Sequence, residues 1–346
     1  MDVHGLATRA LHGLDPEDAH SFALLGLKLG LGPRAPADPP ILATEVAGLK
    51  LPNPIGLAPG FDKNAEVFGP MLRAGFGFAE CGTVTPLPQA GNPRPRLFRL
   101  SEDRAVINRM GFNNAGLEPF AARLTRRGRG VVGANLGANK DSEDRLADYT
   151  TGLRRLWGLA SYFTINISSP NTPGLRALQT KAALEELLGR VVATADSLPQ
   201  GQAVPMFLKV APDLEDEEIE AICDVVAACG LAGVIVSNTT IARPPLASVH
   251  AGEAGGLSGV PLFAASTQVL RRFRQAADGR FLLMGAGGIA SGADAFAKIR
   301  AGASAVQLYS TLAYDGPGLV VRIKQELARR LAAEGFRSVA EAVGTE

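Results

Sequence analysis

Residues 162–172 read YFTINISSPNT, an aromatic and β-branched run that closes in asparagines, serines and a proline-fixed turn. The run over 162–167 has the composition of a buried strand. Asn166, Ser168, Ser169, Asn171 and Thr172 crowd at its C-terminal end. Carboxamides donate and accept hydrogen bonds without carrying charge, which suits a planar heterocycle with alternating N–H and C=O groups, and a neighbouring hydroxyl can move a proton. An Asx or Ser turn capping the next helix would use the same residue types. The surrounding chain separates the two readings.

From residue 55 onward, apolar strand-like runs alternate with helical segments, the pattern of a parallel α/β sheet. The runs are 55–59, 77–84, 131–136, 162–167, 206–210, 233–237, 281–285 and 305–309. That is the number of strands that closes a TIM (β/α)8 barrel. The long Pro/Arg-rich gap over 85–100 reads as an excursion across the barrel mouth. A doubly wound open sheet would need GxGxxG in its first βα turn, and the stretch after Pro59 lacks it. In a barrel the chemistry sits where strands end, and polar residues gather there: Lys63 in APGFDK, Thr83 in GTVTP, Asn135 in GANLG, Asn166, Lys209, the SNTT of 237–240, the GAGG of 285–288 and Tyr309-Ser310. The last two ends match the place where barrels hold a phosphate on backbone N–H groups, so a phosphorylated cofactor is expected; Gly287 and Gly288 would also serve as plain turn glycines.

With 346 residues, the chain fits one barrel of roughly 250 to 300 residues plus an appendage. Hydrophobic content of 46% and a net charge of +1 describe a compact enzyme-like chain without the basic stripe that binds nucleic acid. Cys81, Cys223 and Cys229 form no disulfide framework and have no metal-ligand spacing with histidine, as in a reducing cytosol. The N-terminus shows neither a secretory signal nor a membrane-spanning run. Residues 1–32 are nevertheless dense in apolar side chains, including Leu6, Leu11, Leu14, Phe22, Leu25, Leu27, Leu29 and Leu31. Asp15 as N-cap with Pro16 at the first helical position divides them into two short helices, and a Gly/Pro-rich linker over 30–40 follows. The expected organisation is a helical hairpin extension over 1–40 and an α/β barrel over 41–346; the hairpin could pack on the barrel or meet a membrane.

These stretches together resemble the dihydroorotate dehydrogenases, in particular the membrane-associated, quinone-linked class 2 branch. The resemblance runs from LDPEDAH at 14–20 to LYS at 308–310. Its most specific pieces are APGFDKN at 58–64, GTVTP at 82–86, GNPRPRLFRL at 91–100, INRMGFNN at 107–114, NISSPNTPGLR at 166–176 and GGLSG at 255–259. It implies an FMN-binding α/β barrel with an N-terminal helical hairpin, oxidising dihydroorotate to orotate in pyrimidine synthesis. One proton leaves C5 and a hydride leaves C6 for the flavin.

By the same resemblance Ser169 matches the catalytic base, in a position where the soluble class 1 enzymes carry cysteine. Thr172 and Phe112 match residues that shape the proton route. Asn108, Asn166, Asn171, Asn238 and Thr239 resemble the positions that hydrogen-bond the pyrimidine ring and its carboxylate. Lys63 supplies charge for that carboxylate, and Arg109, Met110 and Gly111 belong to the same substrate segment. Lys209 resembles the lysine at the flavin edge, where a cation stabilises the electron-rich reduced ring. Pro59, Gly60, Phe61, Asp62 and Thr83 resemble further FMN contacts, as do Lys63, Asn135, Asn166, Ser237, Gly259, Gly288, Tyr309 and Ser310. Pro59 stands where alanine is common and Ser237 where threonine is common; the first removes a backbone donor and the second keeps the hydroxyl.

The resemblance also gives the hairpin a task, since ubiquinone or menaquinone dissolved in the bilayer must reach the flavin. His20 and Arg99 resemble polar residues of that tunnel, although each would pass as an ordinary surface residue. The implied location is the cytoplasmic face of the inner membrane, as a peripheral protein. Two other classes stay open on the residues alone: a lyase or aldolase using Lys209 or Lys63 as a Schiff base, and a non-catalytic membrane-bound scaffold.

Overall fold

Strands Ile55–Leu57, Phe78–Val84, Val132–Leu136, Tyr162–Asn166, Met206–Val210, Gly233–Val236, Leu282–Ala286 and Ala305–Leu308 pair in that order, and the last returns to the first. The result is a closed, all-parallel barrel, the TIM architecture expected from the sequence. The computed structural model describes residues 8, 10–172, 174–199, 201 and 204–346. Each strand is fully or almost fully buried, which is why it reads as a continuous apolar run: helices cover the outer face and side chains fill the inside. Helices such as Arg145–Leu156, Lys181–Asp196, Asp216–Ala228 and Phe263–Ala277 supply that cover. Their starts are set locally: Asp144 accepts from the N–H groups of Leu146 and Ala147, and Glu215 and Glu218 form a capping box.

Inside the barrel, residues two apart along a strand form successive layers. The floor layer is apolar and aromatic, with Tyr162 edge-on to Phe78 and to Phe207 at 6.3 and 5.7 Å between ring centres. Gly56 and Gly133 make room for it, since a Cβ on either would come within 2.2 Å of the Phe78 or Tyr162 ring. One step toward the mouth the same strands present Glu80, Asn135, Lys209 and Gln307, all buried. The barrel is thus packed with carbon at its closed end and with polar groups under its mouth.

The excursion after the second strand does cross the mouth, and it carries structure that the sequence reading did not anticipate. Strands Leu97–Leu100 and Ala105–Asn108 pair antiparallel, and Gly256–Gly259 joins them from far along the chain. The third strand has no local signal, because its partner is chosen by tertiary contact.

Helix Pro16–Lys28 begins as expected, with the Asp15 carboxylate accepting from Glu17 and Asp18 N–H. Of the helix expected before it, Thr8, Ala10 and Leu11 are helical, while Leu6 lies outside the described residues, as does Pro173 in the quoted motif. An ion pair from Glu17 to Arg96 at 2.7 Å anchors helix Pro16–Lys28 to the excursion, both side chains being about nine-tenths buried. Burial pushes the Glu17 carboxyl up, but the hydrogen bond and charge of Arg96, with Arg94 and Lys63, hold it below its usual value. Phe22 and Leu25 on this helix and Leu29 at its C-cap are 50–68% exposed. No helix among the described residues is long and apolar enough to cross a membrane.

Candidate active site

The strand ends, the excursion and helix Pro16–Lys28 enclose one cavity of about 630 Å³. Its polar wall starts at the buried layer. The Glu80 carboxylate accepts from Asn135 Nδ2 at 2.7 Å, from the Tyr162 hydroxyl at 3.0 Å and from Gln307 Nε2 at 2.6 Å. Asn135 Oδ1 accepts from the Thr83 hydroxyl and from Asn166 Nδ2 at 3.1 Å, and Asn166 Nδ2 also donates to Thr83 Oγ1 at 2.9 Å. Asn166 Oδ1 then accepts from Ser168 Oγ at 2.8 Å, and Ser168 Oγ accepts from Asn238 Nδ2 at 2.9 Å. One chain of carboxamides and hydroxyls therefore joins strand ends two, three, four and six.

Above it, the 168–172 turn places Ser169 against the cavity. Ser169 Oγ accepts from Asn171 N–H at 3.2 Å, and Asn171 Nδ2 donates to Asn108 Oδ1 at 3.3 Å. Arg176 holds the turn from behind, donating to the Ser168 and Thr239 carbonyls and pairing with Asp213 at 3.0 Å. The Thr172 hydroxyl is buried with no hydrogen-bond partner among the described residues. Phe112 sits at φ 54°, in a loop whose Asn114 donates back to the Phe112 carbonyl at 2.7 Å.

Two lysines face the cavity. Lys63 and Lys209 line it, and neither ammonium has a hydrogen-bond partner among the described residues. Burial lowers Lys63 to about 8, with Glu17 and Asp62 pulling upward and Arg96 downward. Burial lowers Lys209 as well, against the attraction of Glu80. Unpaired cations on a cavity wall describe a site for an anionic or electron-rich ligand. Toward the helix, His20 stacks edge-on to Phe61 at 5.2 Å, and Phe61 likewise to Tyr309 at 5.5 Å. Burial, with help from Lys63, pushes His20 down to about 3, so its imidazole is neutral. Beyond it the wall turns apolar, with Leu11, Ala19, Phe22, Ala23, Leu27 and Leu31.

The dihydroorotate dehydrogenase family model matches residues 41–331. The chain belongs to that family. A protein of Parvibaculum lavamentivorans called dihydroorotate dehydrogenase (quinone) is 58% identical over 351 residues, covering 100% of this chain and 99% of the relative. One of the same name from Rhodospirillum rubrum is 56% identical, covering 100% and 95%. A crystal structure of the Eimeria tenella enzyme in complex with ferulenol superposes with a TM-score of 0.93 at 40% identity, over 97% of this chain and 98% of that one. These likenesses place the chain in the quinone-linked branch of the dihydroorotate dehydrogenases.

Members of this family work with a flavin, and the wall fits one. Among the described residues, the amide N–H groups of Gly287, Gly288 and Ser310 at strand ends seven and eight have no acceptor, and all three residues line the cavity. They form a donor cluster for a phosphate beside a flat polar wall carrying Lys209. The fold brings together most of the residues singled out in the sequence: Pro59, Gly60, Phe61, Met110, Gly111, Ser237, Thr239, Gly259, Tyr309, His20 and Arg99 line this same cavity.

Four of the residues singled out lie behind the wall or off it. Asp62 accepts from the Glu66 and Val67 N–H groups at 2.7 Å and shapes the first loop. Asn135 and Thr172 are buried behind the surface. The Arg109 side chain turns away, pairing with Glu253 at 2.8 Å and stacking over Phe98 at 4.5 Å. Arg99 is engaged as well, donating to the His12 carbonyl at 2.9 Å. Sequence reasoning missed Glu80, Gln307, Arg96, Glu17 and Arg176. The signal for Glu80 was present, a carboxylate in the middle of FAECGTV, where a buried charge requires partners.

Proposed function

We propose that this family member oxidises dihydroorotate to orotate in pyrimidine synthesis, with FMN as hydride acceptor and a membrane quinone, ubiquinone or menaquinone, as final electron acceptor. The observation that carries this reading is the single cavity, polar with Ser169, four asparagines and two unpaired lysines on one side and apolar along helix Pro16–Lys28 on the other. A water-soluble acid and a lipid-tailed quinone need such opposite walls if one cofactor is to serve both.

FMN, when bound, would supply the acceptor for the C6 hydride and the electrons for quinone. Ser169 Oγ takes the proton from C5. A free serine is a poor base, so the proton must be handed on. The Thr172 hydroxyl, without a partner among the described residues, and the Phe112 ring frame that route. Asn108, Asn166, Asn171, Asn238 and Thr239 hold the ring by neutral hydrogen bonds, and Lys63 pairs with its carboxylate. Met110, Gly111 and the Arg109 backbone complete that segment. Lys209 offsets negative charge at the flavin edge. Pro59, Gly60, Phe61, Thr83, Ser237 and Gly259, backed by Asp62 and Asn135, would hold the FMN, and Gly288, Tyr309 and Ser310 would hold it from strand ends seven and eight.

Residues 1–40 are the quinone-tunnel and membrane-associating extension, and residues 41–346 the FMN-binding barrel. His20, neutral, and Arg99 meet the quinone head group. Phe22, Leu25 and Leu29 seat helix Pro16–Lys28 in the interface on the cytoplasmic side of the inner membrane, as a peripheral protein. An anaerobic visible spectrum tests the chemistry: the purified protein shows a flavin spectrum that bleaches on adding dihydroorotate. A colourless protein that takes up no added FMN would return the site to lyase chemistry at Lys63 or Lys209.

A further inference from the structure

We propose that Glu80 is a positioning residue: through Asn135 it fixes the donor–acceptor sense of the carboxamide chain on which the pyrimidine ring is read. The proposal rests on the dihydroorotate site described above.

A carboxamide has nearly the same shape either way round, so its neighbours decide which end donates. In a chain of such groups each choice passes to the next, and the sense is undetermined unless one member can play only one part. Glu80 is that member. It is fully buried on strand Phe78–Val84, and its carboxylate receives three donors, from Asn135, Tyr162 and Gln307. With all three contacts arriving as donors, the carboxylate only accepts. Asn135 must therefore turn its NH2 toward Glu80 and its carbonyl toward the cavity side, where both lone pairs are used by Thr83 and Asn166. That fixes the Asn166 NH2 inward and its Oδ1 toward Ser168. The Ser168 hydroxyl, having donated to Asn166, is left as acceptor for Asn238 Nδ2. A single carboxylate under the barrel mouth thus sets the sense of groups on strand ends three, four and six, none of which touches it except Asn135.

Among the donors, Tyr162 serves the carboxylate alone, and Gln307, though it lines the cavity, passes the sense to no further group, its Oε1 having no partner among the described residues. Asn135 is the only one of the three that carries the sense onward among the described residues. Glutamine at position 80 would keep the shape but offer an NH2 as well as a C=O, and either face of Asn135 would then find a partner.

The test is orotate binding to the oxidised holoenzyme, followed by the change in flavin absorbance, with FMN content and melting temperature measured alongside. Wild type binding orotate is the control arm: if it does not, the dihydroorotate reading fails and the positioning proposal is not what failed. Given binding, Glu80→Gln is expected to keep FMN but bind orotate about tenfold more weakly, the size of effect that mispaired buried polar groups produce. Tyr162→Phe, which removes a donor outside the relay, stays within about twofold of wild type. Asn135→Ala weakens orotate to a similar degree, and adding Glu80→Gln to it weakens orotate by no more than about twofold further, because the carboxylate reaches the ring-reading carboxamides through Asn135, while its attraction for Lys209 bears on the flavin edge. Unchanged orotate affinity in Glu80→Gln, or losses that multiply in the double variant, would overturn the proposal. If Glu80→Gln does not fold, Asn135→Ala with wild-type orotate affinity would overturn it equally.

Discussion

Where strand ends form the cavity wall, each carboxamide and hydroxyl from Asn135 to Asn238 is held by another, whereas the opposite wall, from Ala19 to Leu31, offers carbon. The first wall is assembled from strand ends that are distant in sequence, locked by parallel register. The second is built chiefly on one helix, whose polar anchorage runs through Glu17 and Asp18 to Arg94 and Arg96. Directional groups need fixed geometry, and a barrel supplies it; an apolar path needs only shape and dryness, and a docked helix is enough. The difference teaches where substitutions should act. Changes on the strand-end wall should strike the reductive half-reaction with dihydroorotate, and changes on the helix wall the oxidative half-reaction with quinone.

The sharpest break is Ser169→Ala. It should leave flavin bound while the rate of anaerobic bleaching by dihydroorotate falls about 10²–10⁴-fold, the usual worth of a positioned base. Loss of flavin in that variant would make Ser169 a structural residue. Next in size is Ala23→Arg, which puts a charge on the carbon wall between Ala19 and Leu27, one helical turn from each. Recolouring of the reduced protein by a long-tailed quinone should slow roughly tenfold, because the tail must pass an unpaired charge. The smallest effect is on pH. Lys63 is lowered to about 8, so its charge is present below that value and lost above it. Orotate affinity should therefore drop about fivefold from pH 8 to pH 9, and Lys63→Met should flatten the profile at the weaker level. A profile unaffected by Lys63→Met would remove Lys63 from carboxylate binding.

The barrel was legible because each strand is buried on both faces and ends in a polar residue, so its limits show locally. The Asp15-Pro16 helix start was legible for the same reason, since a cap is a contact between near neighbours. What escaped depended on distant partners. The strand Gly256–Gly259 finds Ala105–Asn108 only in the folded chain, and Arg109 turns from the cavity because Glu253 and Phe98 wait on its other side. Most residues taken from the motifs do meet at one cavity, but a motif gives positions and not directions. It could not tell that Asn135 lies behind Thr83 and Asn166, or that a glutamate within an apolar run underlies them both.

The most direct test of the two-wall account is anaerobic stopped-flow absorbance on wild type, Ser169→Ala and Ala23→Arg. It follows flavin bleaching by dihydroorotate and then recolouring by a long-tailed quinone in the same preparations. The account predicts a crossed result: Ser169→Ala slows bleaching and leaves recolouring at the wild-type rate, and Ala23→Arg does the reverse. Slowing of both steps to the same degree by either variant, or wild-type recolouring in Ala23→Arg, would contradict it.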